Sequence, residues 1–438
     1  MRASGDSRQG VGVGVGVGVV RVSVMAWVVW GAALLALGPG PMAGSRAMAQ
    51  GGGEPAWAAD TFCFPGVDGG QSTLANLVWD ACIYDDGTGP ALYITGDFTT
   101  AGCARATNVA RWDGQTWSAL QGLEGEGVSN GRGGEGGRAL AVFDDGTGPA
   151  LYVGGVFLTA GGRPASNIAR WDGADWSTLE GSEGEGLTQE SPLIAVRDLA
   201  VFDDGTGPAL YVGGTFTQAG GRPATRIAKW DGTDWSPLAG PMGEGVSGAG
   251  NRVRAMAVYD DGTGSQLYVA GTFDTAGGRD INRVARWDGV DWSDVGGWQG
   301  DGQSLALAAY DDGTGRALYM GGSFDVGGAF NDLVRWNGSA WEDLGIRADG
   351  EIAALEVVDD GGVRPALYLG GNFRFLSGQL LESMARYDGT EWTSVGTGVE
   401  PGLGGTVRIL LELDGNPGSG LFVGGWFQEA TDTQVQSI

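Results

Sequence analysis

At 438 residues, with 86 Gly, 17 Trp and 42% hydrophobic residues, the chain is too aromatic for a disordered Gly-rich polymer and shows no collagen-like period. It carries 26 Lys+Arg against 53 Asp+Glu, for a net charge of −27, and its single lysine is Lys229, which argues against nucleic acid as a partner. The absence of His removes the commonest general base, the Ser-His and Cys-His nucleophile pairs, and the usual His-containing metal sites.

Residues 1–49 read as an export signal. Arg8 and Arg21 precede the apolar run Val22 to Leu37, and Ala47-Met48-Ala49 supplies a small-x-small cleavage site. The run is barely long enough for an uncleaved anchor, and no later stretch is apolar enough to span a membrane. Cleavage after Ala49 leaves residues 50–438 as one domain with a net charge of −30, secreted, periplasmic or at the cell surface. The GVGVGVGV tract at Gly10 to Val17 has no strand, helix or acidic partner at nucleotide-loop spacing. Cys63, Cys82 and Cys103 predict one disulfide and one odd thiol, with the pairing left open.

From there the chain repeats. Ala141 to Gly155, AVFDDGTGPALYVGG, returns unchanged at Ala200 to Gly214. Its acidic pair recurs at Asp85, Asp144, Asp203, Asp260, Asp311 and Asp359, with a degenerate copy near Asp414. A second signature, Arg/Lys-Trp-Asp-Gly-x-x-Trp, begins at Arg111, Arg170, Lys229 and Arg286. It is altered at Arg335, where Asn337 replaces Asp, and at Arg386, where Tyr387 replaces Trp.

Each unit predicts four short strands. Arg138 to Asp144 alternates as a buried strand should, and Asp-Gly-Thr-Gly-Pro turns the chain. Leu151 to Phe157 is the second strand, with a Gly pair where backbones approach closely. Ala160 to Ala165 is a loop, Asn167 to Trp171 the third strand, and Asp175 to Leu179 the fourth, after an Asp-Gly turn. The fold class is therefore all-β, a seven-bladed β-propeller of four-stranded antiparallel blades with the last repeat incomplete; an open solenoid or two sandwiches are the competitors. Trp57 lies 28 residues before Asp85, close to the 27 that separate Trp117 from Asp144, so Glu54 to Phe62 is expected to close the ring as an outer strand. The alternative is a chain cut short at Ile438.

The Gly-Gly pair after a hydrophobic strand, followed by an aromatic and then a Trp, resembles the kelch-type propeller repeat. The LYVGGxF and ARWDGxxW segments are closer still to Rax2-like cortical-marker propellers and similar bacterial secreted repeats, over about residues 54–438. The resemblance implies a propeller and leaves chemistry open, because such folds host binding proteins and enzymes alike. Copper oxidases of the kelch fold need His, so that activity does not carry over.

The repeated Trp112, Trp171, Trp230, Trp287 and Trp336, and their partners five residues on, are expected to pack between blades. The acidic turns, Asp85-Asp86, Asp144-Asp145, Asp203-Asp204, Asp260-Asp261 and Asp311-Asp312, are expected on one face with the Asp-Gly turns. They read first as turn chemistry and second as low-grade calcium candidates, since DDGTG lacks the spaced ligand ladder of a calcium loop. No cofactor is otherwise expected. Ligand contacts should break the repeat, which singles out Trp298, Arg374, Phe375 and Trp426. The function expected is a monomeric, non-catalytic binding or interaction module for a protein or glycan. The alternative is a glycoside hydrolase or polysaccharide lyase using a carboxylate pair. Its mark would be two acids on different blades converging in the channel, one with a raised pKa.

Overall fold

The computed structural model describes residues 27–28, 67–68 and 77–430, apart from 132–135, 189–194, 249, 251, 327–328, 396–398, 401–405, 414–419 and 427–428. Every regular element among them is a strand. Six four-stranded antiparallel sheets follow one another, beginning at Leu77–Asp85, Gly137–Asp144, Val196–Asp203, Val253–Asp260, Asp301–Asp311 and Glu351–Val358. In each, the strands lie side by side in chain order, as tight hairpins require.

A further sheet pairs Thr406–Leu413 with Gly420–Trp426, and Trp27–Val28 runs parallel to Phe422 and Val423. Each first strand packs against the first strand of the next sheet, and Thr406–Leu413 packs in turn on Leu77–Asp85. Val78, Ala81, Ile409 and Phe422 share one core cluster there. Sheets arranged in this cyclic order around their first strands form a β-propeller. The proposed closing strand Glu54 to Phe62, the degenerate turn near Asp414 and the end of the chain lie outside the described residues.

The second sheet shows why the repeat folds this way. Its strands are Gly137–Asp144, Pro149–Gly155, Ile168–Trp171 and Trp176–Ser177. The second strand is buried throughout from Ala150, because a neighbouring sheet covers each of its faces. Gly154 is where that neighbour comes closest: an added Cβ would stand 2.3 Å from Cγ1 of Val196, on the next inner strand. Gly155 faces backbone instead, 2.2 Å from the Gly136 carbonyl. The segment read as a loop at Ala160 to Ala165 is instead a small hairpin, Thr159–Ala160 with Arg163–Pro164, extended by Val128–Ser129 of the preceding connection.

The tryptophans staple sheets together. Trp171 and Trp176 are buried with ring centroids 5.3 Å apart, and Trp176 Nε1 donates to the Leu120 carbonyl of the preceding sheet at 3.1 Å. Trp235, Trp292 and Trp341 repeat that bond to Leu179, Leu238 and Val295. Burying rings of this size contributes on the order of 2–3 kcal/mol each. Cys82 is a free thiol and Cys103 is disulfide-bonded; Cys63 lies outside the described residues.

Candidate functional site

In each of the six four-stranded sheets an aspartate pair stands at the turn between the first and second strands. In the third sheet, Asp203 Oδ1 accepts the amides of Gly205 and Gly207 at 2.8 and 3.0 Å. Asp204 Oδ1 accepts the Thr206 amide and hydroxyl, while its Oδ2 accepts the Tyr211 hydroxyl at 2.8 Å and Lys229 Nζ at 2.7 Å. One aspartate therefore holds the turn, and the next is a nearly buried anchor for the third strand's cation. Burial alone would raise the Asp204 pKa, but Lys229, Thr206 and Tyr211 outweigh it and bring it down to about 2.

The same arrangement joins Asp86 to Tyr93 and Arg111, Asp145 to Tyr152 and Arg170, and Asp261 to Tyr268 and Arg286. Asp312 and Asp360 continue it with Arg335 and Arg386. In the calcium candidates Asp85, Asp144, Asp260 and Asp311, Oδ1 accepts two amides of its own turn. Among the described residues, no group of three or more His, Cys, Asp or Glu is placed to hold a metal ion. The Asp-Gly turns do share this face: an added Cβ on Gly173 would lie 2.8 Å from the Asp86 carbonyl of the preceding sheet.

The four repeat-breaking residues are not brought together. Trp298 is buried, edge-on to Phe324 and Trp341 with centroids 5.3 and 5.0 Å away. Arg374 and Phe375 are exposed in a hairpin whose amides both donate to Asp349 Oδ1. The Trp426 backbone ends the strand Gly420–Trp426, and its side chain lies outside the description.

A different set of residues converges. Among the described residues, in the six four-stranded sheets and in the pair Thr406–Leu413 with Gly420–Trp426, the pairing of the first strand with the second slips by one residue near its start. A bulge leaves its extra residue out of the ladder and re-aims its side chain. The residues skipped at these bulges are Arg138, Arg197, Arg254 and Arg408 in four sheets, and Trp79, Leu305 and Ala353 in the other three. Because each first strand packs on the next, these equivalent positions lie at one end of the central channel, away from the acidic turns. Six residues of strand separate the bulge from the turn, about 20 Å.

Sequence reasoning passed over this ring, because an arginine before an alternating strand reads as its polar first residue. The available signal was four arginines in register, at GRALAVFD, VRDLAVFD, VRAMAVYD and VRILLEL, in a chain otherwise poor in cations.

The guanidinium carbons of Arg138 and Arg408, from the sheets on either side, lie 4.5 and 4.7 Å from the Trp79 ring centroid. Arg254 Nε is buried with no hydrogen-bond partner among the described residues. Burial holds Arg254 below its ordinary pKa, and the charges of Arg252, Arg408 and Arg138 push the same way against Glu351. Burial does the same to Arg408, with Glu351 at 3.6 Å as its counter-charge.

One step further along the strands lie acids. Asp80 Oδ2 accepts the Leu140 amide at 2.7 Å and Asp198 Oδ2 the Met256 amide at 2.5 Å, each across to the next sheet. Their other oxygens accept the following amides, Ala81 and Leu199. Burial raises Asp80 to about 7 against those bonds. Burial and the Asp80 charge raise Asp198 to about 8. Glu356 also reaches about 8, through burial and then the charge of Glu412. On the side of the acidic turns, Val201, Phe202 and Val258 line an open hollow of about 490 Å³ with Asp203, Gly205 and Ser265.

The chain matches no protein-family model and no curated protein in sequence. Among solved structures it is similar to the extracellular domain of a hybrid two component system from B. thetaiotaomicron, with 11% identity and a TM-score of 0.46. That match covers 83% of this chain and 38% of the other. It is also similar to BBS1N, solved in complex with ARL6DN, at 13% identity and a TM-score of 0.47 over 85% of this chain and 97% of that one. This chain thus spans well under half the length of the first of these. Identities this low leave function to the chemistry of the site itself.

Proposed function

We propose that the protein is an exported, non-catalytic β-propeller interaction module that receives an anionic group at the arginine-bearing mouth of its channel. The observation that carries the reading is the placement of four of seven equivalent bulge residues, all arginine, around one axis in a chain of net charge −27. Guanidinium groups brought close together repel one another, and an incoming anion relieves that repulsion. Arginine's planar fork suits carboxylate and phosphate groups. Export rests on the signal pattern in residues 1–49, whose removal also takes away the short strand Trp27–Val28 from the last sheet, and it leaves residues 50–438 as one mature domain with a ring of seven blades. Among the described residues no helix is long and apolar enough to cross a membrane. A kelch-type or Rax2-like ancestry and a monomeric state belong to the same proposal, as does a fold that needs no calcium.

The carboxylate-dependent hydrolase or lyase is the second reading. Asp80, Asp198 and Glu356 favour it, because they stand on different blades in the channel with raised pKa values. Against it, both oxygens of Asp80 and of Asp198 are committed to backbone amides, and two of those bonds tie one sheet to the next. Such carboxylates serve as staples between sheets, each oxygen already holding a backbone amide.

Isothermal titration of the intact protein with small organic anions tests the first reading. At least one should bind, and Arg254→Ala and Arg408→Ala should each weaken it tenfold or more. Saturable binding left unchanged by both substitutions would put the ligand elsewhere. Turnover of chromogenic glycosides or uronate polymers, lost in Glu356→Gln, would favour the second reading.

A further inference from the structure

We infer that the group received at this mouth is the carboxylate of an acidic sugar, a uronate, whose hydroxyls meet Glu351 and whose ring lies on the apolar arc of Leu305 and Ala353. This rests on the reading of the mouth as an anion site and narrows it to a ligand class.

The ring at the mouth is not uniform. Sheets seven, two, three and four contribute arginine at the bulge, and sheet one contributes Trp79 between them. Sheets five and six contribute Leu305 and Ala353, both half-buried, so a cationic arc faces an apolar one. A bare inorganic ion has no use for the apolar arc. A pyranose presents C–H faces as well as hydroxyls, and a uronate adds one carboxylate at its edge.

Two of the arginines share one aromatic partner. Trp79 lies against the guanidinium groups of Arg138 and Arg408, and stacking of that kind fixes the guanidinium planes and directs hydrogen bonding to their edges. Two parallel N–H donors in one plane match a carboxylate. Trp79 is thus a positioning residue.

Glu351 sets the limit on charge. Its carboxylate stands 3.6 Å from Arg408 and acts electrostatically on Arg254 as well. A fixed acid on sheet six, at the edge of the cationic arc, repels a second negative charge on the ligand, yet it accepts readily from a hydroxyl. The surplus of acids over the whole chain works the same way against highly charged polyanions. A monoanion bearing hydroxyl groups meets all three conditions.

Four probes, titrated into the intact protein, separate the features: glucuronate; glucose, with the ring and no charge; glucose 6-phosphate, with the ring and a dianion; and acetate, a carboxylate alone. Glucuronate should bind at least tenfold more tightly than each of the others. Its affinity should fall tenfold or more in Arg254→Ala and by less in Arg254→Lys, which keeps the charge and loses the fork. Should Arg254→Ala fail to fold, Arg408→Gln at the rim serves in its place, and Leu305→Asp should lower glucuronate affinity through the apolar arc. If acetate or glucose 6-phosphate equals glucuronate and is lost in the same variants, the mouth is an anion site and the sugar assignment is wrong. If none of the four binds while another organic anion does so through Arg254, the assignment also fails. Glucuronate bound equally by wild type and both arginine variants would overturn the assignment and the site together.

Discussion

Asp80 Oδ2 accepts the Leu140 amide at 2.7 Å across the gap between the first and second sheets, so a carboxylate on one inner strand satisfies a donor on the exposed edge of the next. Asp198 does the same for Met256 two sheets on. An unsatisfied amide at such an edge costs about 1–3 kcal/mol. Asp80→Ala and Asp198→Ala are each expected to lose about that much in urea unfolding.

The same two acids set a dependence on pH. Their folded pKa values, about 7 and about 8, lie above the ordinary carboxylate value, so the folded state holds protons that the unfolded chain has released. Their contribution is complete below about pH 4 and is lost as the pH rises through 7 to 8. Asp204, held down at about 2, works in the opposite sense and gives up its contribution only as the pH falls toward 2. Melting temperature should therefore be higher at pH 5 than at pH 9, and Asp80→Asn with Asp198→Asn should flatten that difference. A profile unchanged by the double substitution would show that other groups set it.

Asp204 joins Tyr211 and Lys229 in a nearly buried cluster, and removing it strands both partners. Asp204→Ala should cost about 3 kcal/mol, and adding Lys229→Met should restore part of the loss, because the orphaned charge goes with it. Equal and additive losses would mean that the pair is not coupled.

Each leading turn aspartate commits Oδ1 to amides of its own turn, and the second binds a hydroxyl and a cation, so calcium is expected to find few ligands there. Millimolar calcium or excess chelator should move the melting temperature of the intact protein by less than about 1 °C. A shift of several degrees would make the acidic face a metal site.

Gly154→Ala would drive a methyl group into Val196 on the next sheet, at an expected cost of about 1–3 kcal/mol. Val196→Ala in the same chain should relieve most of it. Failure of that rescue would point to backbone strain within the sheet itself.

These contacts show what could be read before the fold was seen. The DDGTG and WDG segments announce hairpins because aspartate and glycine do their work locally, within a few residues of chain. The Gly pair announces a close approach, and Val196 and the Gly136 carbonyl are what approach. The arginine ring was not legible in this way. Arg138 sits where an alternating strand tolerates any polar residue, and the slip between Gly137 and Ala139 has no local sequence mark. Only the cyclic packing of the inner strands turns four separate residues into one site. A departure from the repeat need not mark a surface. Trp298 departs from it inside the core, filling space against Phe324 and Trp341.

The most direct test of the central claim is a crystal of the intact protein soaked in sodium bromide, with anomalous scattering used to locate the anion. The account predicts a bromide peak on the channel axis between Arg138, Arg254 and Arg408. Bromide found only at the outer surface, with that mouth holding water alone, would contradict it.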